Sequence, residues 1–222
     1  MSEQAPVEAA TVEAPKERSI LDQLFSRNRL LLFVGLFVVE MVIFLSGLFT
    51  PIGSTQQQII ANQTNSQFDF VKTATAFQLV FFIFGHNLLI ALVELVPILG
   101  AFFYLISIYS TGVATQAIVG AKGLPAFSGL ILFFLPYTFV ELSAYALAVG
   151  SGTMLVVSAI GHRFLKEVKV FVVEVVLVAA ILVVAAAMET ATTYSVEVGL
   201  ALWVPTALGV IGGAVAVARR RR

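Results

Sequence analysis

The sequence predicts an all-α fold, a polytopic membrane helix bundle of about six transmembrane helices. Of its 222 residues, 59% are hydrophobic and only 12% are charged. The mean hydropathy of +0.98 is typical of an integral membrane protein rather than of a soluble domain. Basic residues cluster at 16–29, 163–169 and 219–222, and the positive-inside rule makes these segments cytoplasmic. Both termini are therefore predicted to be cytoplasmic, and the protein to be a multi-pass component of the cell membrane.

The N-terminal segment, residues 1–19, has no periodic apolar face and is predicted to be a disordered cytoplasmic tail. Residues 20–222 are predicted to form a single transmembrane domain. Ser19 is a candidate N-cap for a short helix over residues 20–25 along the inner interface; alternatively, this stretch extends the first span. The first span is predicted at residues 30–49 and crosses from inside to outside.

Residues 50–75 are polar enough to form an outer loop, which follows from the direction of the first span. Within it, Asn62 begins an Asn-Gln-Thr triplet, the acceptor pattern for N-glycosylation. Because glycosylation occurs on the outer side, the triplet agrees with the predicted topology in a host that glycosylates.

The rest of the chain is predicted to cross the membrane five more times. Proline removes a backbone donor from a helix, so broken or re-entrant segments are expected near Pro97 and Pro136. The last two helices are joined by an outer loop that bears Glu189. The five spans are predicted at residues 76–96, 98–119, 126–160 with a kink, 170–187 and 200–217.

Four glutamates lie within these apolar runs, without a lysine or arginine inside the runs to pair with: Glu40, Glu94, Glu141 and Glu174. A carboxylate at the bilayer centre costs about 3 kcal/mol, so these side chains are expected to face protein or water. Glu174 comes five residues after Lys169. We therefore predict that it is solvated at the inner interface rather than buried.

Two helix breaks place polar residues close to a carboxyl, and together they predict a polar site within the membrane. Asn87 and Glu94 are seven residues apart and share a helix face. Broken helices with such residues line transport sites, whereas a structural alternative has the carboxyls hydrogen-bonding neighbouring helices to hold the bundle together. The predicted site comprises His86, Asn87, Glu94, Pro136, Tyr137 and Glu141.

His86 has two interpretations within this site. A histidine titrates near neutral pH, so it could relay protons to Glu94, which lies eight residues away. A lone histidine without a second ligand is more often a hydrogen-bonding packing residue, and we favour that role. No metal site is predicted.

Small residues predict where helices pack closely. Ala144, Ala148 and Gly152 recur at four-residue steps in one predicted helix. Gly209 and Gly213 form a GxxxG pair in the last helix, which faces either a neighbour in the same chain or a second subunit. Packing within the chain is the commoner explanation, and a homodimer is the alternative.

The sequence contains no catalytic pattern of a familiar kind. It has no cysteine, no HExxH pair, no phosphate-binding glycine loop and no GxSxG elbow. The membrane already explains the basic ends, so nothing favours nucleic-acid binding. The protein is therefore predicted not to be an enzyme and to need no cofactor; its partners are the lipid bilayer and other proteins.

Three short motifs between residues 77 and 160 carry a resemblance to a known family: His86-Asn87, Thr111-Gly112, and Pro136 followed five residues later by Glu141. The segment resembles the membrane domain of the stage II sporulation protein M family. At these positions the family tends to show two asparagines, Asn-Gly, and a pattern close to Pro-His-Gly-x-x-Glu. Tyr137 and Thr138 stand where that pattern has histidine and glycine.

This resemblance implies a polytopic membrane protein without a catalytic domain of its own. The founding members of the family act as membrane partners of cell-wall-degrading enzymes, so the resemblance implies a scaffold or partner-recruiting role. The residues themselves leave an alternative open, a small transporter or permease subunit. In that case Asn87, Glu94, Tyr137 and Glu141 converge on a polar cavity and the carboxyls bind an ion or a proton.

Overall fold

The computed structural model describes residues 19–67 and 73–220, and the predicted tail lies outside this part of the chain except for Ser19. The described residues form helices joined by short turns, with no strand among them, which confirms the all-α prediction. A 3-10 turn at Ala126–Ser128 precedes the sixth helix. The helices are α1 (Ile20–Leu24), α2 (Arg27–Leu48), α3 (Ser54–Gln67), α4 (Ala76–Glu94), α5 (Leu99–Ala121), α6 (Gly129–Phe133), α7 (Pro136–Ile160), α8 (Phe164–Tyr194), α9 (Val196–Ala201) and α10 (Trp203–Arg220).

Six helical stretches in the described part of the chain are long and apolar enough to cross a membrane. They are α2, α4, α5, α7, α8 and the combined stretch Val196–Arg219, which confirms the predicted polytopic bundle. Pro136 begins α7, because the first turn of a helix tolerates a residue without an N–H. The kinked span predicted at 126–160 is thus a 3-10 turn and two separate helices. The helix α8 continues to Tyr194, so the prediction that Glu189 lies in a loop is wrong.

The chain forms a separate helix on each side of the first span, α1 before α2 and α3 after it. Ser19 caps α1 by accepting a hydrogen bond from the Asp22 amide over 3.2 Å, as predicted, and α1 ends before α2 begins. At the other end, the predicted outer loop contains α3, which packs against α5. The Gln58 side-chain amide donates to the Ala121 carbonyl over 3.4 Å, and Ala61 is buried on one face of α3. Asn62 lies on the exposed side of this helix.

Two glycines allow α2 and α5 to touch backbone to backbone. A Cβ added at Gly47 would overlap the Tyr109 carbonyl, and one added at Gly112 would overlap the Phe44 carbonyl. Residue numbers rise in the same direction along both helices, so α2 and α5 run parallel. A short turn joins α4 to α5, so α4 runs antiparallel to both α5 and α2.

The turn between α4 and α5 stops short of the end of the bundle, and its Val96, Ile98 and Leu99 side chains are exposed. A Cβ added at Gly152 of α7 would lie 2.7 Å from the Leu95 carbonyl oxygen in this turn. Gly152 is eight residues before α7 ends at Ile160, which is roughly 12 Å of helix. Ile98 adopts a positive φ of 69°, where the chain reverses tightly after Pro97. The predicted break at Pro97 is confirmed, and it forms the tip of a recessed hairpin.

Candidate functional site

Three glutamates from three helices meet beside this hairpin. Glu40 lies in the second half of α2, Glu94 is the last residue of α4, and Glu141 lies in the second turn of α7. Each carboxyl is within electrostatic range of the other two. We refer to Glu40, Glu94 and Glu141 as the acidic cluster. It contains both carboxyls of the predicted polar site and adds Glu40.

A hydroxyl group holds each carboxyl of the acidic cluster. The Tyr104 hydroxyl lies between α2 and α5, 3.2 Å from Glu40 Oε2 and 2.9 Å from the Leu36 carbonyl, and shares its one proton between them. The Ser107 hydroxyl is likewise 3.0 Å from Glu94 Oε1 and 3.1 Å from the Tyr104 carbonyl.

On α7, Tyr145 donates to Glu141 Oε1 over 2.8 Å, one helical turn away. The side chain of Asn87, buried on α4, also lies within hydrogen-bonding reach of Glu141. The predicted shared face of Asn87 and Glu94 is thus confirmed, since both are buried on the inner side of α4. Sequence reasoning missed Tyr104, because α5 carries several other polar side chains and no pattern distinguishes Tyr104 from them.

Two oxygens of the acidic cluster have no hydrogen-bond partner. They are Glu40 Oε1 and Glu94 Oε2, on residues that are 0% and 1% exposed. No lysine or arginine occurs within α4, α5 or α7, and those of α2 lie in its first turn. Buried carboxylates without a countercharge are strongly unfavourable, and each becomes acceptable once it carries a proton. The arrangement is therefore suited to hold protons.

A fourth carboxyl extends the site toward the start of α7. Tyr137 is partly buried and lies within electrostatic range of both Glu189 and Glu141. Glu189 is also within range of Glu141, so titratable groups continue from the acidic cluster to α8. The signal that could have found Glu189 is the lack of glycine and proline from residue 164 to residue 194, which leaves nothing to end α8 at residue 187.

His86 does not join the acidic cluster. It is exposed on α4, whereas the next residue, Asn87, is buried. The structure therefore places His86 on the outer surface of the bundle and gives no support to a relay with Glu94. Pro136 is buried and acts through the backbone, by beginning α7.

The prediction that Glu174 is solvated is wrong. Its side chain is 2% exposed and accepts a hydrogen bond of 2.5 Å from Arg29 Nη1. Arg29 Nη2 also pairs with Glu167, which lies seven residues before Glu174 on the same face of α8. The basic residues near the start of α2 were assigned to the cytoplasm as a group, but Arg29 turns inward while Arg27 remains exposed.

The two predicted sets of packing residues have different outcomes. Ala144 and Ala148 are fully buried, and Gly152 contacts the α4–α5 turn, so this set packs helices as predicted. Around Gly209 and Gly213, no described atom lies within 4 Å of an added Cβ. The described residues thus show no helix of the same chain against this GxxxG pair, and both packing within the chain and the homodimer stay predictions.

The described residues contain no group of three or more His, Cys, Asp or Glu side chains arranged to hold a metal ion. The carboxyls of the acidic cluster thus interact through their charges without converging on one coordination point.

Comparison with models of known families, with curated proteins and with solved structures finds no match to this chain. The resemblance to the stage II sporulation protein M family therefore stays a prediction.

Proposed function

We propose that this protein is a non-enzymatic, proton-coupled transporter or permease subunit of the cell membrane, and that the acidic cluster is its proton-binding site. The observation that carries the proposal is that three helices place Glu40, Glu94 and Glu141 within electrostatic range of one another, with two buried oxygens that have no hydrogen-bond partner among the described residues. Carboxyls inside a membrane bundle are typical of proton pathways.

A purely structural role explains this arrangement poorly. Buried polar contacts between membrane helices contribute only about 0.6 kcal/mol each. Burying a carboxyl costs more than such a contact returns, and aliphatic side chains of similar volume would stabilise the bundle better. Three mutually repelling acids at one place therefore favour a role in which protons bind and leave.

The position of Glu94 supports the same proposal. It ends α4, where backbone carbonyls without helical partners carry partial negative charge. A carboxylate at this end of a helix is destabilised, so protonation of Glu94 is favoured. Helix breaks at membrane depth are also where transporters place their ion and proton sites.

The test is proton flux into liposomes that contain the purified protein, driven by a pH gradient and a membrane potential. We expect flux with the wild type, and at least a tenfold reduction in Glu94→Gln and Glu141→Gln. Glu197→Gln is the matched control, because Glu197 is an exposed carboxyl bonded only to nearby Ser195. Absence of flux in a folded wild type, or equal loss in the control, would refute the proposal.

A second candidate function is the membrane scaffold that the family resemblance implies. The observation that favours it concerns the last helical stretch, Val196–Arg219. Its most apolar part contains no buried residue, and no described atom lies within 4 Å of a Cβ added at Gly209 or Gly213. Such a face fits another helix, either of a partner protein or of a second copy. Cross-linking in membranes that is lost in a Gly209→Leu/Gly213→Leu variant, together with absent proton flux, would favour the scaffold.

A further inference from the structure

A groove opens between α2, α7 and α8 at the end of the bundle where Arg29 lies. Its volume is about 220 Å³, and Leu24 of α1 and the following residue Phe25 form part of its wall. Phe25 and Leu177 remain 40% and 42% exposed, so the groove opens sideways toward lipid. We call it the Arg29 groove. None of the three glutamates of the acidic cluster lines it, so it is a separate feature.

The wall of the Arg29 groove is apolar except at a few positions. Its polar side chains are Arg29, Ser143, Ser151 and Glu174. The Ser151 hydroxyl already donates to the Leu147 carbonyl over 2.8 Å. From Ser151 to Ser143 the groove follows α7 for eight residues, roughly 12 Å of helix. An elongated apolar space of this length is suited to part of a hydrocarbon chain.

The charges beside the groove do not balance. One guanidinium, that of Arg29, pairs with the two carboxyls of Glu167 and Glu174, so these three groups taken alone carry one excess negative charge when all are ionised. Glu167 receives a further hydrogen bond from Ser158 over 3.2 Å. No described donor lies within hydrogen-bond distance of Glu174 Oε2, although the Ser151 hydroxyl interacts with this carboxyl. The carboxyl therefore has room for one more hydrogen-bond donor.

We propose that the Arg29 groove binds a membrane lipid whose headgroup carries a primary ammonium. The ammonium pairs with the Glu174 carboxyl and cancels the excess charge of these three groups, while the acyl chain lies between Leu147 and Leu177. Arg27 is exposed at the start of α2, at the same end of the bundle, and suits the lipid phosphate. This site is independent of the proton-binding function proposed above.

The experiment offers the protein two lipids that differ only in the headgroup donor. Phosphatidylethanolamine has a primary ammonium, whereas phosphatidylcholine with the same chains has a quaternary ammonium without an N–H. The detergent-purified full chain is incubated with an equimolar mixture, and bound lipids are counted by native mass spectrometry. We expect at least a fivefold preference for phosphatidylethanolamine in the wild type, and no preference in Glu174→Gln.

A second pair of variants tests the groove without touching the ion pairs. Leu177→Trp fills the opening, and we expect it to reduce phosphatidylethanolamine retention at least fivefold. Val176→Trp is the matched control, since Val176 is 65% exposed on the adjacent position of α8 and does not line the groove. Equal retention of the two lipids by the wild type would overturn the proposal. So would a preference that survives in folded Glu174→Gln, or undiminished retention in Leu177→Trp.

Discussion

Arg29 donates a hydrogen bond of 2.5 Å to Glu174 and so joins α2 to α8, although the two residues are 145 positions apart. The same guanidinium pairs with Glu167, and Ser158 on α7 donates to that carboxyl over 3.2 Å. One buried cation thus connects three helices at one end of the bundle. The other buried carboxyls of the bundle have no such cation, which separates a structural ion-pair network from the acidic cluster.

Replacing Arg29 with alanine should strongly destabilise the bundle. The substitution leaves Glu167 and Glu174 buried without a countercharge, and breaking a buried ion pair from one side costs about 3–5 kcal/mol. The measurement is the free energy of unfolding by denaturant in detergent micelles. Arg27→Ala is the control, because Arg27 is exposed on the same turn, and it should change the free energy by less than about 0.5 kcal/mol. Similar losses in both variants would contradict the network.

Replacing Glu40 with glutamine should leave stability unchanged or raise it by about 1 kcal/mol. The amide keeps the shape of the carboxyl and the contact with Tyr104, and it removes a charge that no base in the surrounding helices compensates. Thermal unfolding of the purified variant checks this expectation. A loss of about 3 kcal/mol or more would mean that the ionised form of Glu40 has a stabilising partner.

Replacing Gly112 with alanine should separate α2 from α5. The added Cβ would overlap the Phe44 carbonyl, a backbone atom that cannot rotate away, so we expect a loss of about 1–3 kcal/mol. Gly35→Ala serves as the comparison, because a Cβ at Gly35 meets no atom within 4 Å. That variant should be neutral or slightly stabilised, since alanine favours helix over glycine. Denaturant unfolding of the two variants side by side distinguishes a steric effect from a general effect of glycine removal.

Replacing Tyr145 with phenylalanine should lower the free energy of unfolding by about 1–3 kcal/mol, because Glu141 loses a buried hydrogen bond. Tyr109→Phe removes a hydroxyl that contacts Thr50 over 2.9 Å at an exposed position, and it should cost much less. If both variants behave alike, Tyr145 does not hold the Glu141 carboxyl in the membrane bundle.

Several features of the site follow from local pattern alone. Asn87 and Glu94 share the buried face of α4, because a seven-residue spacing returns to the same side of a helix. Tyr145 meets Glu141 for a similar reason. The breaks at Pro97 and Pro136 follow from the missing proline N–H. Each of these relationships lies within one helix or at its end, where sequence spacing sets distance.

The sequence by itself determined the membrane class, the all-α fold and the positions of the helix breaks. Only the tertiary structure decided that Arg29 turns inward to Glu174, that Glu40 joins Glu94 and Glu141, and that Gly209 faces no neighbour. Hydropathy reports how a residue partitions between water and lipid, and helical spacing reports which residues share a face. Neither reports the rotation of one helix about its axis relative to another. That rotation is set by backbone contacts such as those at Gly47 and Gly112, and it determines which buried charges meet.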